Sequence, residues 1–301
     1  MRIGIFGGTT RGTIDSIVTA AREAEQDGFV SYSLPQIFGL DAMGMLAIVG
    51  HEVPRIQLAT FVVPTYSRHP LTMAQQALTV QAASGARFTL GIGLSHQMVI
   101  ENMFGLSFER PLRHMREYLA VLMPLLTEGK ADYDGETLST HAGIDADLPN
   151  LTPCPVIVAA LGPKMLELAG TVANGTATWM TGPATLESHT VPTITAAAER
   201  AGRPAPYVAS SLPICVTSDA DAARERAAED FQIYGFLPSY RAMLDREGAA
   251  GPADVALVGD EATVTRGLER MFDAGATEYV AAIFGSREER AATRALLKSL
   301  L

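Results

Sequence analysis

Short apolar runs alternate with segments of helical periodicity along nearly the whole chain. Strands are predicted at residues 2–6, 29–34, 56–63, 87–93, 155–161, 176–180, 207–217 and 278–284. Helices are predicted at 13–29, 40–53, 70–84, about 109–127, 164–173, 185–201, 263–276 and 286–300. In the first helix Ile14, Ile17, Val18, Ala21 and Ala24 share one face and Gly28 marks the end. Pro64 closes the third strand, and Pro70, with its fixed φ, suits the first turn of a helix. Pro192 is expected to kink or break the helix over 185–201.

The alternation pauses twice. "KADYDGETLST" (130–140) predicts a hairpin around Asp134-Gly135, and a loop with Pro149, Pro153 and Pro155 follows. Residues 219–248 predict a polar-faced helical insertion broken near Pro238. The strands are near-continuous apolar runs, as burial of both sheet faces requires. Eight strand–helix units therefore predict an α/β fold: one (β/α)8 TIM barrel with insertions, a single domain over 1–301. A doubly wound open sheet is the alternative. It needs a glycine-rich fingerprint after an early strand, and "GGTTRG" (7–12) does not fit G-x-G-x-x-G.

Composition narrows the function classes. An apolar fraction of 48% supplies a large core, and a net charge of −10 argues against a nucleic-acid backbone or an anionic membrane as partner. A small-molecule substrate and a local basic pocket for phosphate remain open. Cys154 and Cys215, the only cysteines, give no disulfide framework or metal spacing and read as buried small hydrophobes. No run approaches the ~18 apolar residues of a membrane span. The apolar N-terminus is too short for a signal peptide, so a cytoplasmic protein is expected.

Barrel enzymes work at the C-terminal ends of their strands. That set here holds few charges. It has no paired carboxylates, no metal-ligand cluster and no G-x-S-x-G elbow. Gly7, Gln36, Ser95, His96 and Trp179 fall there, a mouth suited to a flat organic cofactor. In "RFTLGIGLSH" (87–96), Gly91 and Gly93 interrupt a strand where glycine marks a bend or a close approach. In "AALGPKMLELAG" (159–170) a strand end meets Gly162-Pro163 and a helix start. Free N–H groups, the helix dipole and Lys164 make a phosphate site there. An ordinary turn with an exposed lysine is the competing reading.

"LATFVVPTYSRHPLTMAQQALTVQAASGARFTLGIGLSH" (58–96), "VIVAALGPKMLELAG" (156–170) and "GTATWMTGP" (175–183) together resemble the luciferase-like monooxygenase superfamily. They look closest to the branch that uses coenzyme F420, an 8-hydroxy-5-deazaflavin. "AAERAGRPAPYV" and "LDREGAAGPADVALVGDE" are similar to one subgroup of it, so the resemblance covers nearly the whole chain. It implies a deazaflavin across the barrel mouth with its phosphate near Leu161, Gly162, Pro163 and Lys164. It implies a bulge in the third strand, often with a non-prolyl cis peptide, supporting the ring within Thr60, Phe61 and Val62. Gly93, Leu94, Ser95 and His96 would complete the cofactor site, with Gly7, Gln36 and Trp179 at the substrate. It also implies hydride transfer between the deazaflavin C5 and a small organic substrate, and a homodimer.

Departures from the family pattern refine this. FMN-using relatives often carry a phosphate-binding arginine at the position of Leu94, so the deazaflavin is favoured over FMN. The sugar-phosphate dehydrogenases carry an Asp-His pair where this chain has Leu34-Pro35, so their mechanism does not transfer. They place a proposed glutamate donor where this chain has His96. His96 could donate a proton, its ordinary pKa being about 6.5. It could instead hold the cofactor ring by a hydrogen bond, or simply sit satisfied beside a helix start. His69 is read as a loop anchor, and His51, His114, His141 and His189 receive no role. Trp179 is read as pocket wall or core. Met43, Met45, Met98 and Met103 are read as core or pocket lining. An FMN-dependent monooxygenase and a non-catalytic flavin or deazaflavin carrier are the alternative functions.

Overall fold

The eight expected strands close into one parallel barrel in a computed structural model that describes residues 1–10, 12–146 and 152–301. The barrel strands are β1 (Ile3–Phe6), β2 (Ser31–Leu34), β3 (Gln57–Thr60), β4 (Phe88–Gly93), β5 (Val156–Ala159), β6 (Gly175–Trp179), β7 (Tyr207–Ser211) and β8 (Glu278–Ile283). Neighbours in this order pair in parallel, and β8 also pairs β1, with Ile3 opposite Tyr279. Closure rules out the doubly wound alternative. The helices are α1 (Ile14–Asp27), α2 (Ala42–Glu52), α3 (Pro70–Ala83), α4 (Pro111–Thr127), α5 (Pro163–Val172), α6 (Val191–Arg200), α7 (Ala220–Asp230), α8 (Pro238–Glu247), α9 (Glu261–Asp273) and α10 (Arg287–Ser299). Two shorter helical segments, Pro183–Thr185 and Pro252–Val255, precede α6 and α9.

Local chemistry sets these boundaries. The Thr13 hydroxyl caps α1 by accepting from the Ser16 N–H, and Ile17, Val18, Ala21 and Ala24 form its buried face. His69 caps α3, its Nδ1 accepting from the Leu71 N–H, while Pro70 occupies the first turn. Along β4, Phe88, Leu90 and Ile92 enter the main barrel–helix core. A second cluster fills the barrel itself: Phe61, Ile157, Ala177, Ala209 and Val280, flanked by Phe6 and Val62. Cys154 and Cys215 are both free and buried, and burial pushes their thiols up to about 12 and about 11. No helix among the described residues is long and apolar enough to cross a membrane.

Five features differ from the pattern-based expectation. The third strand stops at Thr60 and resumes as the short strand Val63–Pro64, and the Phe61–Val62 peptide between them is cis, where the family resemblance implied a bulge and a cis bond. The seventh strand region splits at Leu212 into β7 and a separate strand, Pro213–Val216. That strand pairs with an unexpected one, Leu257–Gly259. The helix before Arg200 is not broken at Pro192; it carries a π turn, Leu186–Thr190, just ahead of the proline. A second π turn, Val99–Met103, lies in a segment given no element. The hairpin is present as Lys130–Asp134 against Ser139–Gly143. Of the prolines expected in the following loop, Pro149 lies outside the described residues.

Gly91 and Gly93 mark the close approach of the third strand. A Cβ on Gly91 would lie 2.1 Å from the Thr60 carbonyl oxygen, and one on Gly93 would lie 2.8 Å from Val62 Cγ2. Both glycines make room for the interrupted third strand. Thr60 locks the junction. Its hydroxyl donates to the Gly91 carbonyl (2.7 Å) and accepts from the Gly91 N–H (2.8 Å).

Glu117 on α4 is a buried carboxylate that pins the hairpin turn. It accepts from the N–H groups of Glu136, Thr137 and Leu138 and from the Thr137 hydroxyl. Burial works to raise its pKa, but these bonds and Arg113 outweigh burial and hold it below the usual carboxylate value. A depressed folded pKa gives stability that is present above the unfolded value and is lost as pH falls through the folded one. Glu117→Gln turns an amide N–H₂ against donors and should cost about 2 kcal/mol at pH 7. That is roughly a 3 °C drop in Tm for a chain of this size. The gap to wild type should shrink on acidification below about pH 4; an unchanged Tm at pH 7 would refute this anchoring role.

Candidate active site

The C-terminal ends of the strands meet at one mouth. Two of its residues, Ser95 after β4 and Met180 after β6, hold left-handed backbone at φ 61° and 54° without being glycine. Such conformations concentrate at functional sites. His96 follows directly. Its carbonyl accepts from the Val99 and Ile100 N–H groups, starting the π turn. Its imidazole is half-buried and bonded to no group among the described residues. Burial holds its pKa below the ordinary histidine value, so the ring is neutral at pH 7.

An aromatic wall runs from the barrel floor to the insertion after β7. Phe6 packs edge-on to Phe61 (5.5 Å between ring centres) and stacks on Trp179 (5.7 Å). Trp179 meets Tyr234 (5.7 Å), Tyr234 meets Tyr240 (5.0 Å), and Tyr240 meets His96 (5.7 Å). Tyr234 lies in the 3₁₀ turn Gln232–Gly235 and Tyr240 in α8, so the insertion forms one side of the mouth. Trp179 is half-buried, and its indole nitrogen, itself shielded from solvent, has no hydrogen-bond partner among the described residues.

The turn after β5 is open. Gly162 caps α5 with no side chain, Pro163 takes the first helical position, and Lys164 is exposed with no ion pair among the described residues. A Cβ on Gly162 would meet nothing within 4 Å. From behind, buried His189 on the Leu186–Thr190 π turn donates from Nε2 to the Leu161 carbonyl (2.8 Å). Leu94 and Leu161 are half-buried at the mouth, Gly93 is buried in the strand end, and Val62 is half-buried beside it.

Three residues expected at the ligands have structural partners of their own. Thr60 is fully buried with its hydroxyl committed to Gly91. The Gln36 side-chain oxygen accepts from the Ala42 N–H at the start of α2 (2.8 Å) and from Arg68 (3.4 Å). Gly7 donates its N–H to Ser33, and a Cβ there would meet the Tyr32 hydroxyl at 2.5 Å. His114, given no role from sequence, lies flat on Tyr66 (3.9 Å, 6°) with Nε2 3.0 Å from the Thr65 hydroxyl. Burial pulls His114 down to about 4, so it stays neutral near pH 7. A cavity of about 660 Å³ opens on the opposite face of the barrel. Its buried carboxylate, Glu278, is already bonded by the Ser31 and Tyr207 hydroxyls, each at 2.5 Å. Barrel chemistry belongs to the other end.

Residues 1–296 match the model of the luciferase-like monooxygenase family. The chain is an enzyme of that family. Among curated relatives, a 5,10-methylenetetrahydromethanopterin reductase of Methanolobus tindarius is 30% identical over 239 residues, 78% of this chain and 72% of the relative. An F420-dependent glucose-6-phosphate dehydrogenase of Nakamurella multipartita is 27% identical over 233 residues, 75% of this chain and 66% of its own length. Against several others the match spans only 53% to 64% of the relative. Among solved structures, the coenzyme F420-dependent tetrahydromethanopterin reductase of Methanopyrus kandleri superposes with a TM-score of 0.82 at 24% identity, covering 99% of this chain and 97% of that one. This structural likeness carries the barrel fold of the family.

Proposed function

We propose that this enzyme is a coenzyme F420-dependent oxidoreductase moving a hydride between the deazaflavin C5 and a C=C, C=N or C=O bond of a small organic substrate. The observation that carries the reading is the open α5 N-terminus with Lys164, which follows the strand lying between those that carry the unpaired imidazole of His96 and the half-buried Trp179. This fits a flat cofactor with a phosphate at one edge. F420 in the names of relatives and neighbours supports the choice of coenzyme. Leu94, in place of an arginine, favours it over FMN.

When bound, the deazaflavin supplies two-electron hydride chemistry; the protein supplies orientation and electrostatics. The N–H groups of Gly162 and Lys164 and the Lys164 ammonium would hold its phosphate, and His189 fixes the Leu161 carbonyl behind them. The Phe61–Val62 segment, braced by Thr60 and Gly91, backs the ring. Trp179 and the insertion exclude water on one side. His96, neutral at pH 7, offers one donor and one acceptor to ring or substrate. Anaerobic mixing with reduced F420 and a panel of enones, imines and ketones tests the reading. Reoxidation of the coenzyme by at least one of them is expected. Tight binding of the reduced coenzyme with no reoxidation by any would favour a non-catalytic carrier instead.

A further inference from the structure

Thirteen large apolar side chains are exposed among the described residues, and nine of them lie in the connections leaving β2, β4 and β7. These connections all rise from the mouth. Phe38 is 60% exposed, Met103 61% and Phe236 78%, with Leu40, Phe104 and Ile233 beside them in sequence. Single exposed hydrophobes are ordinary, but a concentration around one opening marks a ligand or partner surface. Here it continues the aromatic wall of Trp179, Tyr234 and Tyr240 outward.

Five flanking arginines are already paired with carboxylates, and Arg290, just after β8, donates to the Ile283 and Gly285 carbonyls. Arg68 is held by Asp41 (2.5 Å), Arg110 (3.0 Å) and Arg113 by Glu136, Arg226 by Glu289 (2.6 Å), and Arg241 by Asp245 (2.8 Å). Lys164 belongs to the α5 turn. Arg11, in the β1–α1 connection, lies outside the described residues. Among the described residues, the half-buried His96 imidazole has no hydrogen-bond partner, and the Trp179 N–H and Tyr66 hydroxyl are buried without one. An apolar enclosure with one or two directional polar contacts selects an apolar ligand with one polar atom.

We propose that the substrate is a hydrophobic, uncharged carbonyl or enone compound, not a phosphorylated or carboxylated one, seated on these loops with its oxygen at His96. This rests on the hydride-transfer reading. For an enone, the β carbon gains a hydride and the α carbon a solvent proton, while the coenzyme is oxidised by the same two electrons.

Trp179 is the only tryptophan, so its fluorescence reports on the mouth alone. The full-length protein is titrated with cyclohexenones of growing alkyl chain, with glucose 6-phosphate and with a fatty carboxylate. The enones should perturb Trp179, with Kd tightening roughly threefold to fourfold per methylene. The sugar phosphate should have no effect at millimolar concentration, and the carboxylate should bind more weakly than the enone of equal length. Phe104→Asp and Phe236→Asp, both at exposed sites, should weaken the longest enone at least tenfold with Tm nearly unchanged. Arg11→Ala should leave its Kd within twofold.

Tighter binding of the sugar phosphate, a Kd independent of chain length, or loss of binding in Arg11→Ala would each overturn the proposal. So would gel filtration showing that the aspartate variants split a dimer with Kd unchanged, which would give this surface to a second copy of the chain. If the enones bind as expected but none reoxidises the reduced coenzyme, the hydride-transfer reading fails while the hydrophobic ligand class stands.

Discussion

Gly91→Ala is expected to lower Tm by about 5 °C and to weaken cofactor binding more than tenfold. The new Cβ would sit 2.1 Å from the Thr60 carbonyl oxygen, in a strand with no freedom to retreat. Overpacking of this kind costs about 3 kcal/mol, which for a chain of this size is about 5 °C. The damage is directed. Thr60 and Gly91 exchange two hydrogen bonds at the point where the third strand leaves the sheet, so displacing Thr60 displaces Phe61 and Val62, the proposed backing of the ring. Thr60→Val, which keeps the shape and deletes the hydroxyl, should produce the same phenotype at about 2 kcal/mol. Thermal unfolding and cofactor titration of both variants check this; a wild-type Tm and Kd in Gly91→Ala would show that the junction is tolerant and unrelated to binding.

His96→Ala is expected to reduce turnover about a hundredfold, the lower range for losing a positioned acid–base or polar group. His96→Gln, which keeps a donor and an acceptor, should recover most of that loss. The pH profile separates the two roles. Burial depresses the His96 pKa below its ordinary value. If the neutral ring is the working form, activity is flat above about pH 6.5 and falls as pH drops through the depressed pKa. If the imidazolium is the working acid, activity falls as pH rises through that same value. The account expects the first profile. A wild-type rate in His96→Ala would remove His96 from the chemistry altogether.

The barrel was legible because buried parallel strands are continuous apolar runs, and all eight were. What decided the details was pairing across strands, which no single run encodes. The apolar stretch 56–63 reads as one strand, yet its end at Thr60 depends on what Gly91 lacks. The stretch 207–217 reads as one strand, yet Leu212 divides it because each half has different neighbours. Leu257–Gly259 is too short for a periodic signal. At the site, the α5 turn and the strand end carrying His96 were readable as motifs. The insertion was not. Phe231, Tyr234 and Tyr240 were hidden in a segment whose charges mark a solvated helix, although their spacing was the one available hint. His189 carried no signal, since its partner is a backbone carbonyl 28 residues away.

The central claim is that this mouth binds F420, and equilibrium titration of the protein with F420 and with FMN, read by Trp179 fluorescence, tests it most directly. Saturable micromolar binding of F420 is predicted, weakened about tenfold by Lys164→Ala, with no saturation by FMN. Micromolar binding of FMN with none of F420 would contradict it.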